Sequence, residues 1–175
     1  HNDHSWQTEK LHDMYPEYFQ LIKAISLGVK VNINVHDLAL KAFIEGQLPI
    51  YGISLDQIKC HIRPTNDVWC RDHGPAFLIH QHNDSRMIVD WEYNAWGGKY
   101  PPFDDDNKIS TQIAQSLGLP FAQPKIIMEG GSVEFNGAGT VLTSRSCLLN
   151  ANRNPHLNQG QIEQYLIDYY GVDQV

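Results

Sequence analysis

The chain predicts an α/β fold, because segments of helical period alternate with short segments of period two along its 175 residues. Glycine and proline clusters punctuate these segments at intervals too short for long βαβ crossovers, so the elements read as small, similar units. A composition of 42% apolar and 19% charged residues is an ordinary globular balance, sufficient to bury a core.

In chain order, residues 16–27 place Phe19, Ile22 and Ile25 at helical spacing, with Pro16 suited to the first turn and Gly28 to the stop. VKVNINV then alternates Val29, Val31, Ile33 and Val35 against Lys30, Asn32 and Asn34, a half-buried strand. Asp37 has the chemistry to cap a short helix ending near Gly46. IKCHI from Ile58 is a strand, and AFLI and MIVDW are strands around an HQHNDS turn. Residues 104–117 carry Ile109, Ile113 and Leu117 in a helical stripe closed by Gly118. KIIM, SVEF and TVLT follow as short strands, the last two joined by NGAG, and a final helix runs from about Asn158 to Tyr170. No low-complexity linker or exact repeat divides the chain, which reads as one domain, or part of one, over residues 1–175.

A net charge of -7 with a pI near 5.6 argues against nucleic acid and acidic membrane surfaces, which select basic patches, and suits a small cationic ligand. Cys60, Cys70 and Cys147 form no CxxC pair, and an odd count fits a reducing compartment, with the cytoplasm as the expectation. No apolar run approaches the roughly 18 residues of a membrane span, and the first residues, HNDHSWQTEK, lack a signal-peptide pattern. The sequence begins without Met, leaving room for a start upstream of His1.

P-loop, GxGxxG, HExxH and GxSxG patterns are absent, and no histidine pair has ligand-like spacing, so neither a metal nor a cofactor is expected. EGGSVEFNGAG is glycine-rich, yet it lies among hairpin strands without a helix start, which disfavours a phosphate cradle. Four loops combine glycine or asparagine with charged or aromatic residues: RDHGP, YNAWGGKYPP, MEGGS and NANRNP. Function concentrates on such loops. Within NDVWCRDHGPAFLI, Asp72 beside Trp69 suits a planar cation, since a carboxylate matches the guanidinium fork and an indole face attracts its charge. The alternative is that Asp67, Arg71 and Asp72 pair among themselves and pin the loop.

TNDVWCRDHGP, EYNAWGGKYPPFDDD and MEGGSVEFNGAGTVLTSRSCLLNANRNP resemble, in this order, the successive signatures of the agmatine deiminase and Porphyromonas-type peptidylarginine deiminase family. The resemblance implies a pentein-type β/α propeller of five ββαβ units around a guanidine pocket, with this chain holding roughly the N-terminal half. It further implies hydrolysis of agmatine to N-carbamoylputrescine and ammonia through an amidino-cysteine intermediate, without cofactor or metal.

Carried over by motif, Asp72 matches a substrate-binding aspartate with a catalytic part, Trp69 a pocket-lining tryptophan, and Glu129 the acid of the catalytic set. Trp96 is a wall of the same pocket or, equally, a packed aromatic in a tight glycine loop. Arg71 reads as the structural partner of a nearby acid, because its permanent charge would repel a guanidinium. The family's His-x-Asp pair and nucleophilic cysteine have no match here; HND occurs only at His1 and His82, ahead of or between the signature loops. Cys70 stands as a minor candidate nucleophile, while Cys60 and Cys147 read as packing residues. A peptidylarginine or other arginine-like deiminase, a non-catalytic guanidine-binding module, and a different hydrolase using Asp67, Asp72 and His73 remain as alternatives, as does assembly into a homo-oligomer.

Overall fold

The computed structural model describes residues 10–175. Its internal contacts gather into two compact units that meet at Val68 and Trp69, a division that no linker in the sequence announces.

In the unit of residues 10–68, helix α1 (Leu11–Ser26) leads to strand β1 (Val31–Val35), then helix α2 (Leu38–Gln47) and strand β2 (Ile58–Ile62). The two strands pair in parallel, Val31 opposite Ile58 and Val35 opposite Ile62, with α2 as the crossover. Asp37 caps α2 by accepting the Leu40 N–H at 2.8 Å, as its position before the apolar period predicts. Phe19, Ile22, Ile33, Val35, Ile44 and Leu48 form the core. The helix starts five residues before the expected Pro16, which lies inside it. Tyr15 explains the extension: its ring packs 5.3 Å from that of Phe43 and against the core, outweighing the one backbone bond that proline removes.

The unit of residues 69–175 begins with a single turn, α3 (Cys70–His73), where an irregular loop is expected from the sequence. Strands β3 (Ala76–Ile79) and β4 (Arg86–Val89) form an antiparallel hairpin, followed by a tight turn α4 (Ala95–Gly98), helix α5 (Ile109–Leu117) and strand β5 (Phe121–Ala122). Strand β5 returns parallel to β4, giving the order β3-β4-β5. Strands β6 (Val133–Phe135) and β7 (Val141–Thr143) pair across the NGAG turn, and helices α6 (Arg145–Leu148) and α7 (Gln159–Tyr170) follow.

Asn158 and Gln161 close a capping box at the start of α7, and Gly118 ends α5 in the left-handed conformation. Val89, Met128, Val133, Val141, Leu148 and Leu166 are core residues of this unit. KIIM, expected as a strand, makes only one bridge, Glu92 with Ile127. The α/β class is therefore as the periodicities predict, assembled from short sheets. No helix among the described residues is long and apolar enough to cross a membrane.

Candidate functional site

All four sequence-predicted site residues lie in the second unit, on loops that three hydrogen-bonded turns hold together. Turn α3 forms because the Trp69 carbonyl accepts the N–H groups of Asp72 and His73 at 2.9 and 3.3 Å. Asp72 Oδ1 in turn accepts the Gly131 N–H at 3.0 Å. The two chain segments touch so closely that a Cβ on Gly130 would lie 2.2 Å from the Arg71 carbonyl oxygen, and one on Gly131 only 2.3 Å from Asp72 Oδ1. The glycine pair of MEGGS thus serves backbone approach, which only a residue without Cβ permits.

Glu129 opens the same turn, and its carbonyl accepts from Ser132 N and Oγ. Its side chain is 4% exposed and pairs through Oε1 with Arg153 Nε at 2.5 Å, the arginine being 8% exposed. Oε2 is equally buried and has no hydrogen-bond partner among the described residues. A carboxylate oxygen in that condition keeps its acceptor capacity for a further donor.

Arg153 sits in NANRNP, a loop that sequence reasoning singled out without giving this residue a role. Its neighbours fasten the same region. Asn152 Oδ1 accepts from Arg153 Nη1 at 2.6 Å, and its backbone carbonyl accepts from Asn94 Nδ2 at 3.0 Å. Asn154, buried, accepts the Ile127 N–H at 2.9 Å and donates to the Ile127 carbonyl at 2.8 Å, satisfying the two backbone groups of Ile127.

The aromatic residues converge. Trp69, 42% exposed, meets the half-buried Trp96 edge to face at 6.1 Å, and Trp96 meets Tyr93 and Tyr100 in the same manner at 5.6 and 5.7 Å. Trp96 reaches this position through a left-handed run from Ala95 to Gly98, with φ of 57° at Trp96 itself and 49° at Ala95. Left-handed backbone at two non-glycine residues is strained by about 1–3 kcal/mol each and persists only where neighbours enforce it. Asn94 is one enforcer, accepting the Gly97 N–H at 2.8 Å.

Behind α3, His73 Nε2 lies 3.9 Å from Asp106 Oδ1, both side chains being almost fully buried. The Ser110 hydroxyl donates to the His73 carbonyl, and the His73 ring meets that of Tyr93 at 5.7 Å. His73 therefore faces inward and braces the turn. Arg71 finds its acid in Glu134, at 2.8 Å on the surface, rather than within its own loop.

Asp72, Arg71 and Gly130 also border a cleft of about 360 Å³ otherwise walled by apolar groups such as Trp91, Met128 and Tyr170. Trp69, Trp96 and Glu129 do not line it, so of the four candidate residues Asp72 alone borders this cleft. The three cysteines are free; Cys70 is exposed, and burial, reinforced by Glu45, pushes the Cys60 thiol up. Among the described residues no group of His, Cys, Asp and Glu could hold a metal ion.

Known proteins share this architecture. Agmatine deiminase of Enterococcus faecalis matches with a TM-score of 0.76 and 34% identity, over 90% of this chain and 42% of that one. A cysteine-to-serine variant of C. jejuni agmatine deiminase with substrate bound matches at 0.82 and 29%, over 95% and 47%. The agmatine deiminase of Pseudomonas syringae pv. tomato is 42% identical over 116 residues, 63% of this chain and 31% of its own length. The chain thus spans from 31% to 47% of the length of these relatives. Matched throughout residues 1–175 by the profile of the Porphyromonas-type peptidyl-arginine deiminase family, it belongs to that family.

Proposed function

We propose that the polypeptide carrying this chain hydrolyses agmatine to N-carbamoylputrescine and ammonia, and that residues 10–175 supply the guanidinium-holding side of its site. The observation that carries this reading is the single turn at residues 129–132, which presents Glu129 with a bare buried oxygen and holds Asp72 through the Gly131 amide. Two carboxylates on adjoining turns, Asp72 on α3 and Glu129 at the head of residues 129–132, together with the edge-to-face pair of Trp69 and Trp96, suit a flat cation with several N–H donors. The likeness to agmatine deiminases, one of them solved with substrate bound, selects agmatine within that class.

In this mechanism a thiolate adds to the guanidinium carbon and a C–N bond breaks as the leaving nitrogen takes a proton and departs as ammonia. Water then adds to the amidino carbon, and the thiolate leaves. Asp72 and Glu129 fix the guanidinium and draw its charge toward the carbon under attack. The attacking cysteine and its proton-shuttling histidine are proposed to lie outside residues 1–175. Cys60 is poorly suited, its thiol being held protonated by burial, and the cation beside Cys70, Arg71, is turned to Glu134. On the same reading the chain contributes about half of a five-unit β/α propeller, forms part of one domain, and works in the cytoplasm without cofactor.

The test is ammonia release by the full-length protein offered agmatine, free arginine and a peptidylarginine substrate separately. Release from agmatine well above the other two is expected, and Asp72→Asn should lower it at least about 1000-fold, because an amide cannot replace the charged acceptor. Near-normal turnover by that variant would remove Asp72 from the site.

A further inference from the structure

We infer that Arg153 is a positioning residue for Glu129, dividing the carboxylate between an oxygen committed to the protein and an oxygen reserved for the substrate. This rests on the deiminase reading and adds to it a residue and a reason for the NANRNP loop.

Three consecutive residues of that loop each hold something that bears on the site. Asn152 ties the loop to Asn94, the residue that enforces the left-handed run carrying Trp96. Arg153 takes Glu129 Oε1 through Nε, with Nη1 anchored on Asn152 Oδ1. Asn154 clamps both backbone groups of Ile127, two residues ahead of Glu129. The carboxylate is therefore fixed along its backbone by Asn154 and at its tip by Arg153.

A guanidinium on the protein beside a site for a guanidinium substrate requires an explanation, since like charges repel. The geometry supplies one. Arg153 meets Oε1 alone, and that leaves Oε2 buried and unpartnered among the described residues. A buried carboxylate without any partner would be driven toward the neutral acid. Arg153 supplies the countercharge that a buried carboxylate needs, while the second oxygen keeps acceptor capacity for another donor.

Gly97 shows how tightly the arrangement is packed. A Cβ there would lie 2.2 Å from Asn152 Nδ2 and 2.5 Å from Arg153 Nη1, so the arginine runs directly against the backbone that presents Trp96. Arg153 is thus in position to couple the carboxylate and aromatic halves of the site.

The experiment is a double-mutant cycle on kcat/KM for agmatine in the full-length protein, with Arg153→Gln, Glu129→Gln and the pair. Arg153→Gln alone should lose about 100-fold, the scale of orphaning one member of a buried ion pair. In the Glu129→Gln background the same change should lose less than about threefold, because a residue acting through Glu129 has nothing further to remove. Arg153→Lys, which keeps the charge without the fixed fork, should fall between wild type and Arg153→Gln. Where turnover in the Glu129→Gln background is below detection, agmatine binding followed by tryptophan fluorescence completes the cycle.

Multiplicative losses, or an Arg153→Gln enzyme within threefold of wild type, would overturn the inference and leave the deiminase reading standing. If Arg153→Gln does not fold, an Arg153→Lys enzyme with wild-type kcat/KM overturns it equally. A wild-type protein that releases no ammonia from any of the three guanidine substrates overturns the deiminase reading, and this inference with it.

Discussion

Replacing Gly131 with alanine tests the site through its backbone while leaving every functional group chemically intact. The new Cβ would stand 2.3 Å from Asp72 Oδ1, whereas ordinary contact begins at 3.4 Å. The carboxylate must therefore retreat by about 1 Å, and a displacement of that size at a positioning group lowers turnover by about 100-fold. Overall stability should fall by only about 1–3 kcal/mol, the usual penalty for overpacking, because Asp72 is half-buried with room to turn outward.

The assay is kcat/KM for agmatine, with a thermal melt on the same samples. Gly46→Ala is the matched control: it lies within α2, nothing stands within 4 Å of its added Cβ, and it should raise stability by about 0.5–1 kcal/mol with turnover unchanged. A Gly131→Ala enzyme within threefold of wild type would refute the argument. It would mean that the position of Asp72 on this turn does not govern the reaction.

Gly97→Ala should lower both turnover and melting temperature, since alanine is strained at a φ of 90° and its Cβ displaces Asn152 and Arg153. Combined with Arg153→Gln it should cost less than the product of the separate losses, and strictly multiplicative effects would separate the two residues. Thiol labelling by iodoacetamide at mild alkaline pH should modify the exposed Cys70 before Cys60, whose raised pKa keeps it as the unreactive thiol until higher pH; peptide mapping that finds Cys60 first would contradict the burial argument.

Some elements were legible because their signals are local. The Asp37 cap, the start of the last helix near Asn158 and the alternation of β1 each depend on residues within one turn or strand. Glu129 and Asp72 were singled out by resemblance of their motifs, and the fold brings their two turns into contact. What escaped was set by partners distant in sequence. α1 begins early because Tyr15 packs on Phe43, 28 positions away in the numbering. KIIM is confined to one bridge: Lys125 at its head has a φ of 65°, and the N–H and carbonyl of Ile127 both go to the distant Asn154.

Arg153 was missed for the same reason: its role appears only when a loop 24 residues from Glu129 folds back onto it. A signal did exist in the sequence, since a basic residue amid three asparagines in a glycine-poor loop needs an acid. The turn at Cys70–His73 was hidden by apolar neighbours that read as strand, and its helical form turns His73 inward toward Asp106.

The clamp that Asn154 closes on Ile127 has a consequence for the lifetime of the molecule. Asparagines decay when the following backbone nitrogen attacks the side-chain carbonyl, and a carboxylate in that place could no longer donate to the Ile127 carbonyl. The residue after Asn154 is Pro155, which has no N–H to enter that ring closure. Asn136, exposed and followed by Gly137, enjoys no such protection, although its side chain also orders a turn. Chemical ageing should therefore loosen the turn between β6 and β7 before it reaches the Asn154 clamp, so that the backbone leading to Glu129 outlasts the tip of the hairpin that follows it.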